Sequence, residues 1–165
     1  PPPPPPPPPP FPAEDGIRDI VARLVGSEMC IRDSSVTISP RFYETDAQGH
    51  ISNVTIAGWF EAARTTLLTQ VLADDISSQV QWMLANVNID YVAETHFGSD
   101  VIITLDGLAV GNTSLTMSCV MVQEGKTCVR GKAVLVNIDP ESRGKRRISD
   151  PLRARLADAF PTESP

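Results

Sequence analysis

The residues best suited to chemistry lie between Arg41 and Asn53, where an acid, a glycine turn and a helix start follow one another. A β-like stretch ends near Asp46, Gly49 and His50 form a turn, and a helix pattern begins near Asn53. This order places one carboxylate beside a helix N-terminus, whose unpaired N–H groups can hold a polarised carbonyl or an anion. A base or nucleophile next to such donors is what acyl-transfer chemistry needs.

The same residues also have a purely structural interpretation. Asp46 is either the reactive acid or a turn residue whose carboxylate only holds the loop. His50 either fixes the turn through hydrogen bonds or acts as an acid or base, and no third residue that would orient it is evident. Gly49 supplies a backbone angle that a side chain would block. Ser52 or Asn53 can cap the helix.

A wide apolar stripe marks the helix after the turn. Residues at intervals of three and four predict a helix from about Asn53 to Ala73. The stripe consists of Ile56, Trp59, Phe60, Ala63, Leu67 and Val71. Before the turn, Val36 to Tyr43 alternates well enough for a first strand.

Four strand-like segments follow the helix, and a short helix closes the chain. The segments are about Leu84–Tyr91, Val101–Val110, Leu115–Met121 and Thr127–Asn137. Turns at 111–112 and 124–125 join the last three into an antiparallel meander. Asp150, as the cap, and Pro151 open the C-terminal helix. The sequence therefore predicts an α+β fold in which a five-stranded antiparallel sheet covers one long helix, and the open sheet edge predicts pairing with a second copy.

The first 34 residues are expected to be foreign to the protein. Residues 1–12 are all proline except Phe11. Residues 13–19 resemble the translation of a flow-cell primer used in short-read sequencing, and residues 24–33 resemble, in the same frame, a transposase adapter. We therefore interpret 1–34 as an assembly artefact; the alternative is a proline-rich tail with a short helix. The remaining chain is predicted to be one domain over 35–160 with a tail at 161–165.

Composition narrows the classes of partner. Setting aside the three Arg and five acidic residues of 1–34 leaves eleven basic and fifteen acidic residues, a net charge of −4. This charge argues against a nucleic-acid partner. No run approaches the roughly 18 apolar residues of a membrane span. Cys119 and Cys128 lack metal-site spacing and are predicted to be core residues in a reducing compartment, the cytoplasm.

The residues around Asp46 resemble the hotdog-fold acyl-CoA thioesterases of the 4-hydroxybenzoyl-CoA thioesterase type. In that family the first strand ends in a pattern R-x-x-x-x-D-x-x-G-H-x-N-N, and the long helix carries an aromatic pair, Glu and Arg. The matching residues here are Arg41, Asp46, Gly49, His50, Asn53, Trp59, Phe60, Glu61 and Arg64, followed by Asp90, Tyr91, Phe97, Gly98, Asp100, Gly111 and Ser114. The likeness spans about 36–158. Ser52 and Ile56 stand where the family commonly has Asn and Tyr, which leaves the shape of the substrate open.

The resemblance implies a hotdog fold and hydrolysis of an acyl-CoA thioester with neither a metal nor a redox cofactor. Asp46 would attack the thioester carbonyl or activate a water, and the backbone N–H of Asn53 would bind the thioester oxygen. The site would be shared between the subunits of a homodimer or homotetramer, with the pantetheine arm along the subunit boundary.

Further residues have less certain places in such a site. Glu61, two helical turns past Asn53, either lines it or bonds to backbone. Trp59 is either a core residue or a ligand contact. Ser114 would support the site from a neighbouring strand. Arg143 and Arg146, in a basic cluster with Lys145 and Arg147, form a candidate clamp for the phosphates of coenzyme A.

Two other functions fit the same sequence less well. The chain could be a non-catalytic hotdog module that binds acyl-CoA or acyl carrier protein, although the intact pattern from Asp46 to Arg64 argues against this. It could also be a hotdog dehydratase or hydratase, which needs an Asp and a His about five residues apart. Here His50 follows Asp46 by four residues, within a different local pattern.

Overall fold

The computed structural model describes residues 34–72 and 80–159, and it shows a five-stranded antiparallel sheet packed against one long helix. In chain order the elements are β1 (Ser35–Ile38), a 3₁₀ turn (Phe42–Glu44), α1 (Asn53–Val71), β2 (Gln81–Tyr91), β3 (Val101–Val110), β4 (Ser114–Gln123), β5 (Lys126–Ile138) and α2 (Asp150–Ala159). The strand order is β1-β3-β4-β5-β2, with every pair antiparallel. The predicted hotdog fold is therefore confirmed. The expectations for 1–33, for the loop after α1 and for the tail lie outside the described residues.

The predicted apolar stripe of α1 is buried against the sheet. Its five described side chains, Ile56, Trp59, Phe60, Ala63 and Leu67, are each exposed by 7% or less. On the facing strand β4, the predicted alternation is also confirmed, because Leu115, Met117, Cys119 and Met121 are all buried. Burial of these two faces, at roughly 25 cal/mol per Å² of apolar surface, is the main force that holds the helix on the sheet. A second apolar cluster joins the end of α1 to Leu152 and Leu156 of α2.

The first strand is shorter than predicted. It ends at Ile38, and Phe42 and Tyr43 lie exposed in the 3₁₀ turn rather than in the strand. Pro40 explains the early end, because proline cannot donate a ladder hydrogen bond. The carboxylate of Glu44 then accepts the backbone N–H of Arg41 at 2.6 Å and closes the turn.

The start of α1 agrees with the prediction in position but not in chemistry. Ser52 is the N-cap residue, and its carbonyl accepts the N–H of Ile56 at 3.0 Å. Its hydroxyl, however, makes no capping hydrogen bond with the described residues. The helix ends at Val71, two residues before the predicted Ala73.

The cap of the C-terminal helix was predicted one residue too late. Ser149, not Asp150, occupies the capping position, because the Ser149 hydroxyl accepts the N–H of Leu152 at 3.4 Å and its carbonyl accepts the N–H of Arg153 at 2.9 Å. Asp150 instead pairs with Arg147 at 3.1 Å. Both Ser and Asp are good caps, so composition alone could not choose between them.

Strand β2 forms an open, apolar edge of the sheet. One side of β2 is paired with β5, and the strand order leaves its other side without a partner among the described residues. Met83, Leu84, Val87 and Tyr91 on this strand are each between 43% and 49% exposed. An exposed apolar edge strand is a template for pairing with another strand. None of the described helices combines the length and the hydropathy that a membrane crossing requires.

Candidate active site

Asp46 lies in a tight loop that its own carboxylate helps to hold. Oδ1 of Asp46 accepts the backbone N–H of Gln48 at 2.8 Å and that of His50 at 3.1 Å. The Asp46 N–H donates to the His50 carbonyl at 2.7 Å, and Gly49 adopts a left-handed φ of 82°. One oxygen of the carboxylate therefore anchors the loop, while Oδ2 has no hydrogen bond to the described part of the chain. The structural role and a chemical role are compatible in one side chain.

An open pocket of about 540 Å³ lies between the Asp46 loop, the start of α1 and the end of β2. Its walls are formed by Asp46, His50, Ile51, Asn53, Ile56, Tyr91, Val92, Ala93, Glu94 and Thr95. Four predicted site residues thus line one pocket, since Asp46, His50, Asn53 and Ile56 are all among them. Gly49 shapes the loop beside it.

The helix start supplies hydrogen-bond donors to this pocket. The intrahelical bonds of α1 begin with the N–H of Ile56, which donates to Ser52. The N–H groups of the residues before it, from Asn53 onward, belong to the first turn and have no intrahelical acceptor. The carbonyl of Asn53 accepts the Tyr91 hydroxyl at 3.1 Å, which ties the end of β2 to the helix start. These donors carry the positive end of the helix dipole.

Three further predicted site residues also lie outside the pocket wall. Trp59 is buried in the core under the sheet, and Glu61 is exposed on α1. Ser114 lies at the first residue of β4, where its carbonyl accepts the N–H of Gly111 at 2.7 Å. The opposite end of β4 is nearer to the pocket, because the side chain of Gln123 accepts the N–H of His96 there. Within one chain, Ser114 therefore closes the turn between β3 and β4, at the end of β4 opposite to Gln123.

The basic cluster is also distant from the pocket of its own chain. Nη1 of Arg143 donates to the side-chain carbonyl of Gln81 at 3.5 Å, and the N–H of Arg146 donates to the Asn137 carbonyl at 2.8 Å. Gln81 is the first residue of β2, whereas Tyr91, in the pocket wall, is the last. At about 3.3 Å per residue these two ends are roughly 33 Å apart. Within a single chain the arginines therefore lie far from this pocket, and their role as a phosphate clamp stays a prediction.

Sequence reasoning missed two residues that face His50. The backbones of His50 and His96 form an antiparallel bridge, and their rings meet edge to face with centroids 5.1 Å apart. Oε2 of Glu94 is 3.6 Å from Nε2 of each histidine. His50 and Glu94 are 44 residues apart in the sequence, so no local spacing could signal this group. The structure therefore supplies the neighbour of His50 that the sequence left unidentified.

The sheet, the central helix and the pocket at its start define a hotdog-type domain. The sequence matches the Thioesterase-like superfamily over residues 40–156, and the chain belongs to this superfamily. The uncharacterized protein YsmA of Bacillus subtilis is 31% identical over 106 residues, which are 64% of this chain and 72% of that protein.

Solved structures show the same fold. A predicted thioesterase from Bacillus stearothermophilus is 32% identical, with a TM-score of 0.70 over 79% of this chain and 98% of that one. A thioesterase from Thermus thermophilus, solved with coenzyme A and zinc, is 22% identical, with a TM-score of 0.67 over 78% and 95% of the two chains. Membership of the superfamily is thus supported by both sequence and structure.

Proposed function

We propose that this protein hydrolyses acyl-CoA thioesters, with Asp46 as the reactive acid and the first turn of α1 as the oxyanion site. The observation that carries the proposal is the meeting of the Asp46 carboxylate and the Asn53 helix start in one pocket. Membership of a thioesterase superfamily supports thioester hydrolysis in general. The acyl-CoA substrate, the 4-hydroxybenzoyl-CoA type of mechanism and a cytoplasmic location belong to the proposal.

Both possible roles of Asp46 use the oxygen that the loop leaves free. As a nucleophile, Oδ2 attacks the thioester carbon, the C–S bond breaks to release coenzyme A, and water then hydrolyses the mixed anhydride. As a general base, Oδ2 takes a proton from a water that attacks the same carbon. In either case negative charge develops on the carbonyl oxygen, where the N–H of Asn53 can receive it. One such donor typically stabilises the transition state by about 3 kcal/mol.

The acyl group would lie against the apolar wall of the pocket. Ile56 is buried one turn into α1, and Val92 and Ala93 continue the wall after β2. Ile56 offers no hydroxyl to the acyl group, unlike the tyrosine that the resembling family commonly carries there. An aliphatic or unsubstituted aromatic acyl group therefore suits this wall better than one with a polar group at that point.

A dimer through β2 would complete the substrate site. If two copies of β2 pair antiparallel about a twofold axis, the Gln81 end of one strand lies beside the Tyr91 end of the other. Arg143, which contacts Gln81, would then approach the pocket of the neighbouring subunit. The exposed apolar side chains of β2 would be buried by the same pairing. Coenzyme A bound to the Thermus protein of this fold agrees with a substrate of this class.

A thiol-release assay over acyl-CoA and acyl-carrier-protein thioesters tests the proposal. Asp46→Asn should lower kcat by about 10³-fold, the range for a lost general base or nucleophile. Asp106→Asn, which neutralises an exposed acid outside the pocket wall, is the matched control and should retain full activity. Release that survives Asp46→Asn would remove Asp46 from the mechanism. A folded protein that binds acyl-CoA but releases no thiol would show a binding module instead.

The dehydratase alternative is not favoured by the pocket. His50 meets Asp46 through backbone hydrogen bonds, while its ring lies beside Glu94 and His96. An acid–base pair for dehydration needs both side chains directed at one substrate. Hydration of an enoyl thioester, included in the same substrate panel, should therefore be undetectable.

A further inference from the structure

We propose that His50, Glu94 and His96 form a binding site for a divalent transition metal ion of the zinc type. Their ligand atoms all lie within 4.8 Å of one another, and Glu94 is 3.6 Å from each imidazole. Two imidazoles and one carboxylate are a donor set that zinc accepts, with a water in the fourth position. The resemblance implied no metal, and the three residues come together only through the fold.

The geometry is close to that of a bound ion. In a tetrahedral site with bonds of about 2.1 Å, the ligand atoms are roughly 3.4 Å apart. Two of the three separations are 3.6 Å, so they need little adjustment. The side chains have room for it, because those of His50, Glu94 and His96 are 30%, 67% and 54% exposed. Small rotations are thus enough to bring three donors onto one ion.

The backbone beneath the three side chains is held in place. The N–H of Ile51 donates to the Thr95 carbonyl at 2.8 Å, beside the bridge between His50 and His96. The buried side chain of Gln123 accepts the N–H of His96 at 2.9 Å and donates to its carbonyl at 2.8 Å. Preorganised ligands lose less conformational entropy when the ion binds.

A second observation concerns Thr95, whose buried hydroxyl lacks a hydrogen-bond partner among the described residues. Thr95 stands between Glu94 and His96, is 2% exposed and lines the pocket. Buried hydroxyl groups are ordinarily satisfied by protein or by ordered water. A polar or hydrated ligand at this point agrees with such a group better than an apolar one does.

Metal titration of the full, untagged chain tests the site without any thioester. After treatment with a chelator, the protein is titrated with Co²⁺ by visible absorption and with Zn²⁺ by calorimetry. We expect one ion per chain, with a Kd below roughly 10 µM, and the absorption of four-coordinate cobalt with nitrogen and oxygen ligands. Because the test uses no substrate, its result is independent of whether the protein hydrolyses thioesters.

Single substitutions locate the ion. His96→Gln and Glu94→Gln should each weaken metal binding by at least about 10-fold. Even the loss of a residue that only hydrogen-bonds to a metal ligand typically lowers metal affinity by that factor. Glu141→Gln, a change at an exposed acid in the loop after β5, is the matched control and should leave the Kd unchanged. Thermal melts confirm that the variants fold, and Zn²⁺ should raise the Tm of the unchanged protein but not that of His96→Gln. A Kd above roughly 10 µM, or equal affinity in both ligand variants and the unchanged protein, would overturn the proposal.

Discussion

The ring of Phe60 occupies the space in which a side chain on Gly131 would lie. A Cβ built on Gly131 would be 2.5 Å from both Cδ1 and Cε1 of Phe60. Phe60 is buried on α1, and Gly131 lies in β5 opposite Ile89 on one side and Cys119 on the other. The missing side chain at this position lets the central helix sit directly on the middle of the sheet.

Gly131→Ala should therefore destabilise the protein, because the ring of Phe60 has to leave its place. An overpacked core position typically costs about 1–3 kcal/mol of unfolding free energy. Gly58→Ala is a matched control in α1, where no heavy atom lies within 4 Å of the added Cβ; it should stabilise by up to about 1 kcal/mol. Urea denaturation measures both. Adding Phe60→Leu to Gly131→Ala should recover part of the lost stability. Equal effects of Gly131→Ala and Gly58→Ala, or no such recovery, would refute the role of the ring.

The sequence predicted the parts of the fold that depend on periodicity. The stripe of α1 and the alternation of β4 were correct because burial on one face imposes a period of 3.6 or 2 on the chain. The errors occurred where single side chains decide the outcome. Pro40 and Glu44 ended the first strand early, and Ser149 displaced Asp150 as a cap. Ser and Asp are nearly equal as N-cap residues, so composition alone could not choose between Ser149 and Asp150.

In the candidate site, too, the sequence predicted what local spacing determines and missed what the fold brings together. Asp46 and Asn53 are seven residues apart, so a turn followed by a helix was enough to predict that they share a pocket. Glu94 and His96 join His50 only because the segment after β2 returns to the loop, and no local pattern encodes that return. The basic residues near Arg143 were visible as a cluster, but their distance from the pocket depends on the length and pairing of β2.

Gly49→Ala should impair the site through backbone strain and not through a steric clash. Gly49 has a φ of 82°, and a Cβ there would meet nothing within 4 Å, so the cost arises from the backbone alone. A left-handed conformation costs most residues about 1–2 kcal/mol, and asparagine tolerates it better. Because the Gly49 N–H donates to the Asp46 carbonyl at 3.1 Å, the strain falls on Asp46, the proposed reactive acid. We expect a lower kcat in Gly49→Ala and a partial return in Gly49→Asn; identical kinetics in the two variants would contradict this account.

Arg143→Gln should raise the KM for acyl-CoA if Arg143 binds the phosphates of a substrate held by the partner subunit. Loss of a charged hydrogen bond of at least about 1.4 kcal/mol corresponds to a 10-fold rise. Thioesters of N-acetylcysteamine, which lack phosphates, should be unaffected. Arg147→Gln is the control within the same cluster, because Arg147 is already paired with Asp150 at 3.1 Å. A KM that changes equally for both thioester types would exclude phosphate binding.

Mixed dimers decide whether Arg143 acts across the interface. When Asp46→Asn chains pair with Arg143→Gln chains, one of the two sites would combine an intact Asp46 with an intact Arg143 from the other subunit. The mixed dimer should then recover about half of the original kcat with the original KM, as expected for one complete site of two. If the mixed dimer shows only the raised KM of Arg143→Gln, Arg143 acts in the site of its own chain.

Cys119 should make the protein less stable in alkali. Burial raises the pKa of the Cys119 thiol from 9.0 to about 12, and the nearby carboxylate of Asp106 acts in the same direction. Above pH 9 the unfolded chain loses a proton that the folded chain retains, so the free energy of unfolding falls as the pH rises towards 12. Below pH 9 the contribution is fully present. The loss approaches about 1.4 kcal/mol for each pH unit within this window.

The difference between the original protein and Cys119→Ala isolates this thiol. The contributions of all other groups are common to both proteins and cancel in the difference. Urea unfolding at several pH values should therefore give a shallower decline for Cys119→Ala, although its stability at pH 7 is lower because a core side chain is shortened. Asp106→Asn should lie between the two, since it removes only the smaller of the two causes that raise the pKa of Cys119. Parallel declines in all three proteins would contradict this account, because Cys119 would then ionise in the folded state as readily as in the unfolded chain.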